Sequence, residues 1–159
     1  MNKQKTFRKS WAIFTVIALI CLPSLQFFDQ IIFLNKTASM PIGIYIKNST
    51  DKLKIGDIIV FYSKETKSNL LKYIAGYEGD EYCLDFENTL WVNNFPLAQK
   101  NIAKYHEEMP TQSLCQILKK EELLVLGEHP DSYDSRYFGP IKKQQVIAQV
   151  ELALEWKND

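Results

Sequence analysis

The stretch NLLKYIAGY, residues 69–77, has the composition of a β-strand, with one residue that fits poorly in a buried strand. Because side chains alternate between the two faces of a strand, Lys72 shares a face with Leu70 and Ile74. On a buried face the ammonium would lose its hydration, and its pKa would fall by up to several units from ~10.4. The alternative is a lysine that faces water at the edge of a sheet. The local pattern is equally compatible with both.

The β pattern extends over most of the chain. Further strands are predicted at IGDIIVFYS (55–63), TLWVNNFPL (89–97), ELLVLGEH (122–129) and QQVIAQVELALEW (144–156). Asn93 and Asn94 lie between apolar residues and indicate a tight hairpin, whereas the last segment also fits a helix. Residues 99–120 show no clear period and are expected to form an irregular insertion. A chain of 159 residues without internal repeats predicts one mainly β domain, residues 29–159.

The N-terminal part has the charge pattern of a membrane anchor. Residues 1–10 contain four basic side chains and no acidic one, and residues 11–28 (WAIFTVIALICLPSLQFF) carry no charge. A helix of that length spans roughly 27 Å, close to the ~30 Å hydrocarbon core of a bilayer. We therefore predict a cytoplasmic tail, a single transmembrane signal anchor over 11–28, and an exported body. A cleavable signal peptide is the competing interpretation, since Pro23 interrupts the run.

Charge and cysteine usage restrict the function of the body. Beyond residue 10, fifteen basic residues face nineteen acidic ones, so the body is acidic and is not expected to bind nucleic acid. Cys83 and Cys115 fall in the exported part, where a disulfide or two free thiols are both compatible with the sequence. Their spacing matches no zinc pattern, and no metal is predicted.

A candidate nucleophile follows the apolar run. In NKTASMPIGIY (35–45), Ser39 lies shortly after the predicted anchor, and Pro41 restrains the loop. A serine needs a base within hydrogen-bond reach. Only two histidines exist, so the candidates for that base are Lys72, if it is buried, and His129.

The segment GEHPDSYDSRYFGP, residues 127–140, concentrates charged and hydroxyl side chains. Its Arg136 is the only arginine of the exported part, and Asp134 stands two residues before it. Arginine favours planar, bidentate contacts with carboxylates, which predicts an ion pair here. An ordinary solvated turn is the alternative.

Together, SMP (39–41), LLKYIAGYEGD (70–80) and LGEHPDSYDSRYFG (126–139) resemble the signal peptidase I family in their residues and in their order. The resemblance extends from the anchor to about Val150. It implies a membrane-anchored Ser/Lys endopeptidase with a mainly β catalytic domain. TASMPIGIY and the shortened GEHPDSYDSRYFGP are most similar to the TraF-type peptidases of conjugative transfer systems.

The resemblance assigns roles to individual residues. Ser39 would be the nucleophile and Lys72 the general base. The hydroxyl of Thr37 and the backbone N–H of Ser39 would bind the oxyanion, and Ser132 would hydrogen-bond and orient the lysine amine.

Asp134 and Arg136 would form a supporting pair that holds their loop against the site. The dyad supplies both nucleophile and base, so no cofactor is expected. Tyr73 replaces the arginine that often follows the lysine in relatives. This departure affects the subfamily and the substrate more than the reaction.

The implied activity is removal of leader segments from exported proteins at the bacterial inner membrane, with the catalytic domain in the periplasm. A conjugative pilin precursor is the favoured substrate, matured by cleavage or by cyclisation alongside the conjugative secretion machinery. The alternatives are a general type I signal peptidase that acts on many preproteins, and a catalytically silent anchored binding domain. A self-cleaving repressor of the LexA type is disfavoured by the anchor and by the absence of a DNA-binding helix pair.

Overall fold

A computed structural model of the chain describes residues 31–48, 52–105 and 113–156. As predicted, the described residues form mainly β-strands; they also include two short α-helices and one 3-10 helical turn, Lys143–Gln145. The elements are β1 (Ile32–Asn35), β2 (Gly43–Lys47), β3 (Ile58–Ser63), β4 (Ser68–Tyr77), β5 (Glu81–Leu84), β6 (Thr89–Val92), β7 (Phe95–Gln99), α1 (Ile102–Tyr105), β8 (Leu114–Ile117), β9 (Glu122–Leu126), α2 (Ser135–Phe138), β10 (Ile141–Lys142) and β11 (Val146–Glu155). From Leu34 onward the chain forms one compact unit, which contains all the described elements except the start of β1.

The predicted anchor over residues 11–28 lies outside the described residues. Within the described part of the chain, no helix is both long and apolar enough to cross a bilayer.

The larger sheet has the strand order β1-β2-β11-β3-β4-β9-β10 and carries an apolar core on each face. Alternation along β4 sends Ile74 into one core and Ala75 into the other. The first core is formed by Ile59, Phe61, Ile74, Leu123, Val125 and Ile141. The second lies against the smaller sheet, whose order is β7-β6-β5-β8, and includes Leu90 and Val92 of β6. The site therefore rests on a sheet that is held from both sides.

Turn chemistry determines where several strands begin and end. Asn93 and Asn94 both adopt positive φ, 48° and 68°, so the predicted two-residue hairpin between β6 and β7 is confirmed. β3 begins at Ile58, later than predicted, because Gly56 has φ +89° in the preceding turn. Residues 144–156, for which the sequence fitted either a strand or a helix, contain the strand β11, which pairs with both β2 and β3. Gly43 permits the close β2–β11 approach, since a Cβ there would overlap the carbonyl oxygen of Leu154.

The prediction of an irregular insertion over residues 99–120 was wrong in part. The segment contains α1 and the edge strand β8, which pairs with β5. All four residues of β8 are exposed, so the strand leaves no hydrophobic period in the sequence. Its position depends on the ladder with β5 and on a disulfide between the directly opposed Cys83 and Cys115. The cysteine pairing left open by the sequence is thus formed.

Candidate active site

Ser39 and Lys72 meet at the centre of the site. Ser39 lies in the loop between β1 and β2, and Lys72 lies in β4, 33 positions away in sequence. Lys72 Nζ donates a hydrogen bond to Ser39 Oγ at 2.9 Å. The neighbouring Met40 is fully buried and anchors the loop in the core, and Pro41 restricts the backbone after it. The loop is therefore held directly after the serine.

Lys72 is buried on the face that its alternation with Ile74 indicates, and only 3% of it is exposed. Burial lowers the pKa of Lys72 from 10.5 to about 8. The negative charge of Asp134 acts in the opposite direction, and the positive charge of Arg136 adds to the lowering. At slightly alkaline pH a large fraction of this amine is therefore neutral and able to accept a proton.

Thr37 brings a second hydroxyl to the serine. Its Oγ1 lies 3.3 Å from Ser39 Oγ and donates a hydrogen bond to Asn35 Oδ1 at 2.9 Å. The predicted oxyanion hydroxyl is thus beside the predicted nucleophile. The Asn35 side chain holds the Thr37 hydroxyl in this position, and the sequence did not indicate that role.

The segment after β9 closes the other side of the site. The backbone N–H of Glu128 donates to the carbonyl oxygen of Ser39 at 2.8 Å. Gly127 allows this approach, because a Cβ there would lie 2.7 Å from that oxygen and would overlap Ser132 Oγ. Ser132 lies in this segment as expected and is 2% exposed, but no described group hydrogen-bonds its Oγ. The expected hydrogen bond from Ser132 to the Lys72 amine is therefore not formed; that amine contacts Ser39, and the Ser132 hydroxyl packs against Gly127.

Asp134 and Arg136 form the buried bidentate pair that the sequence predicted. Arg136 Nη2 and Nε donate to the two carboxylate oxygens of Asp134 at 2.7 Å and 2.8 Å. The same carboxylate accepts the N–H of Gly127, and the guanidinium also donates to the carbonyls of Gln99 and Pro130. Burial alone would lower the pKa of Arg136, but the hydrogen bond and charge of Asp134 raise it above its ordinary value. The guanidinium therefore stays charged, and the pair cross-links the 127–138 segment to the end of β7.

Comparisons with known proteins identify the family of the chain. The profile described as "Signal peptidase, peptidase S26" matches residues 6–156. The chain belongs to the signal peptidase family. Signal peptidase I of Bacillus caldolyticus is 26% identical over 172 residues, which cover 95% of this chain and 93% of that protein. The crystal structure of a signal peptidase I from Enterococcus faecalis V583 aligns with 64% of this chain and 98% of that one, at 27% identity and a TM-score of 0.45. This S26 peptidase is accordingly a serine endopeptidase.

No histidine side chain in the described part of the peptidase hydrogen-bonds the Ser39 hydroxyl; His129 reaches the serine only through its backbone N–H, which donates to the Ser39 carbonyl at 3.5 Å. The ring of His129 accepts a hydrogen bond from the N–H of Asp131 through Nδ1 and forms none with Ser39 Oγ. His106 lies outside the described residues. Among those residues, one cluster has metal-ligand chemistry, Glu81 with Cys83 and Cys115, and its two sulfurs are joined in the disulfide.

Two residues that organise the nucleophile loop of the peptidase were missed. The Asn35 carboxamide contacts both ends of the loop, and Tyr45 donates its hydroxyl to the carbonyl of Pro41 at 2.9 Å. Burial, with Glu128 and Glu155 nearby, raises the pKa of Tyr45 to about 12, so the phenol keeps its proton. The available signal was the spacing of Asn35, Thr37 and Ser39 at every second position.

Proposed function

We propose that the peptidase cleaves leader segments from exported proteins with Ser39 as nucleophile and Lys72 as general base. The observation that carries this proposal is the 2.9 Å contact between Lys72 Nζ and Ser39 Oγ at a buried lysine. Neutral Lys72 takes the serine proton as Oγ attacks the scissile carbonyl, and the ammonium returns it to the leaving amine. The resulting acyl-enzyme is hydrolysed by a water that Lys72 deprotonates.

The negative charge of the tetrahedral intermediate needs donors close to Ser39. We assign this role to the Thr37 hydroxyl, 3.3 Å from Ser39 Oγ, and to the backbone N–H of Ser39. One such donor contributes about 3 kcal/mol to barrier lowering. Asp134 and Arg136 act indirectly: through the N–H of Gly127 they hold the segment that contacts the Ser39 carbonyl.

The substrate backbone is expected to extend the sheet next to the dyad. β3, which contains the segment 58–63, lies between β11 and β4 and offers no edge for such pairing. β4 pairs with β3 along residues 68–73, but it pairs with β9 only from Tyr73 onward. On the β9 side, residues 68–72 therefore have no strand partner in the described part of the chain. We place the substrate strand along this edge, where its carbonyl would pass close to Ser39.

We further propose that residues 11–28 anchor the peptidase in the inner membrane, with the catalytic domain in the periplasm. A conjugative pilin precursor is the favoured substrate, because TASMPIGIY and GEHPDSYDSRYFGP are most similar to TraF-type peptidases. An amine in place of water would resolve the acyl-enzyme to a cyclic pilin. A general signal peptidase is the alternative.

The test of the dyad is cleavage of a precursor bearing a signal segment by the detergent-solubilised full chain. Ser39→Ala and Lys72→Ala are each expected to lower kcat by ~10³-fold or more, whereas Lys47→Ala, at an exposed strand lysine, leaves it unchanged. The wild-type kcat/KM should rise with pH to a plateau, with its midpoint near the Lys72 pKa of about 8. If Lys72→Ala retains its rate, the base is wrongly assigned and His129 becomes the candidate.

The substrate is tested separately with two precursors, a pilin subunit and an unrelated secreted protein. Selective cleavage of the pilin supports the conjugative role, and equal rates support the general peptidase. Product mass distinguishes hydrolysis from cyclisation, because a ring is one water lighter than the linear product.

A further inference from the structure

The side chain of Asn35 makes five hydrogen bonds with the loop that carries the nucleophile Ser39. Its Oδ1 accepts hydrogen bonds from the N–H and the hydroxyl of Thr37, at 3.2 Å and 2.9 Å. Its Nδ2 donates to the carbonyls of Thr37, Met40 and Pro41, at 2.9, 2.9 and 3.0 Å. One carboxamide therefore holds the chain on both sides of Ser39.

The chemistry of these partners fixes the orientation of the amide. An amide oxygen offers two lone pairs, and an amide nitrogen offers two hydrogens. In Asn35 both lone pairs accept hydrogen bonds from Thr37, and both hydrogens point to carbonyl oxygens of the loop. The reversed orientation would set an oxygen against three carbonyl oxygens and an N–H group against an N–H group. Asn35 is 8% exposed, so water does not readily replace these contacts. An aspartate or a glutamine cannot reproduce this pattern, since one lacks the donors and the other is longer by a methylene.

Apart from the 3.3 Å contact between its hydroxyl and Ser39 Oγ, Thr37 is positioned by Asn35 and not by the other contacts of the loop. Glu128 N–H contacts the Ser39 carbonyl, and Tyr45 contacts the Pro41 carbonyl. The Thr37 peptide group and its hydroxyl are both hydrogen-bonded to Asn35. Removal of the carboxamide would thus release the residue that carries the candidate oxyanion donor and leave the serine tethered.

We propose that Asn35 is a positioning residue that aims the Thr37 hydroxyl at the oxyanion. In the resting site the hydroxyl hydrogen points to Asn35 Oδ1; when the oxyanion forms, this hydrogen rotates toward it while Oδ1 keeps hold of the Thr37 N–H. The proposal rests on the function proposed above for Ser39 and Thr37. Asn35 acts on the rate of the chemical step and leaves substrate binding and the basicity of Lys72 unchanged.

The experiment is a double-mutant cycle of Asn35→Ala and Thr37→Val in the full-length detergent-solubilised enzyme, with rates normalised to the folded fraction. Each single variant is expected to lower kcat about 10²-fold, with KM within about threefold of wild type and the pH midpoint unmoved. The double variant should be no slower than the slower single variant, because Asn35 acts through Thr37. Asn88→Ala removes another buried asparagine side chain, in the β5–β6 turn, and should change stability without changing kcat.

Three results would overturn the proposal: a kcat for Asn35→Ala within threefold of wild type, losses that multiply in the double variant, or a loss carried by KM. If the alanine variant does not fold, Asn35→Asp retains the volume and the acceptor and withdraws the three donations to carbonyls, and the same loss in kcat is expected. The Ser39→Ala variant distinguishes failure of the proposed function from failure of the positioning role. If it retains turnover, the proposed function fails; if it is inactive while Asn35→Ala is fully active, the positioning role alone fails.

Discussion

Replacement of Lys72 by methionine should make the peptidase more stable at neutral pH, although it removes the proposed base. Burial lowers the pKa of Lys72 from 10.5 to about 8, so the folded protein binds the lysine proton more weakly than the unfolded chain does. At 1.36 kcal/mol per unit, this difference costs the folded state about 3 kcal/mol wherever both states are protonated. Methionine has a similar length and removes that cost.

The pH dependence has a definite sign. Below pH 8 the lysine is protonated in both states and the full penalty applies. Between about pH 8 and pH 10.5 only the unfolded chain holds the proton, so wild-type stability rises with pH. Above that range both states are neutral and the penalty is gone. The lost hydrogen bond to Ser39 offsets about 1 kcal/mol, which leaves Lys72→Met about 2 kcal/mol more stable at pH 7.

The assay is urea unfolding of both proteins from pH 6 to pH 11, followed by the difference in unfolding free energy at each pH. Other titrating groups occur in both proteins and cancel in this difference. Lys47→Met, at an exposed lysine of β2, is the control and should give a flat difference curve. A flat curve for Lys72→Met as well would refute the reasoning, since it would mean that burial does not shift this amine.

Three further changes test the scaffold around the site. Cys83→Ser opens a disulfide that links residues 32 positions apart and should cost about 3 kcal/mol of unfolding free energy in a denaturant titration, with cleavage unchanged while the protein is folded. Gly127→Ala forces a Cβ to within 2.7 Å of the Ser39 carbonyl oxygen and should lower kcat at least ~10-fold. Gly79→Ala is the control: its Cβ would have no atom within 4 Å, so its φ of +93° should cost about 1–2 kcal/mol of stability and leave kcat unchanged. Equal kcat values for the two variants would argue against the close packing at Gly127. Arg136→Lys breaks the bidentate contact in a buried pair and should lower the unfolding free energy by about 3 kcal/mol; a thermal shift below 2 °C would contradict this.

The local pattern of the sequence predicted most of the strands, because alternation and turn residues act over a few positions. Asn93-Asn94 indicated the hairpin, and the position of Lys72 between Leu70 and Ile74 indicated its face. The exposed strand β8 left no such pattern, since its contacts come from β5 and from the disulfide. Its existence depended on residues more than thirty positions away.

The site shows the same division between local and tertiary information. The sequence by itself determined the residue types, a serine before a proline, a lysine in an apolar strand, and an Asp-Arg pair at a spacing that permits a bidentate contact. Only the tertiary structure decided that Lys72 is buried and within 2.9 Å of Ser39, because desolvation depends on the sheets packed around the lysine. It also decided the role of Asn35, whose five hydrogen bonds are satisfied only when the loop folds back on β1. Three of these bonds are made with backbone carbonyls, which leave no partner residue type to find in a sequence.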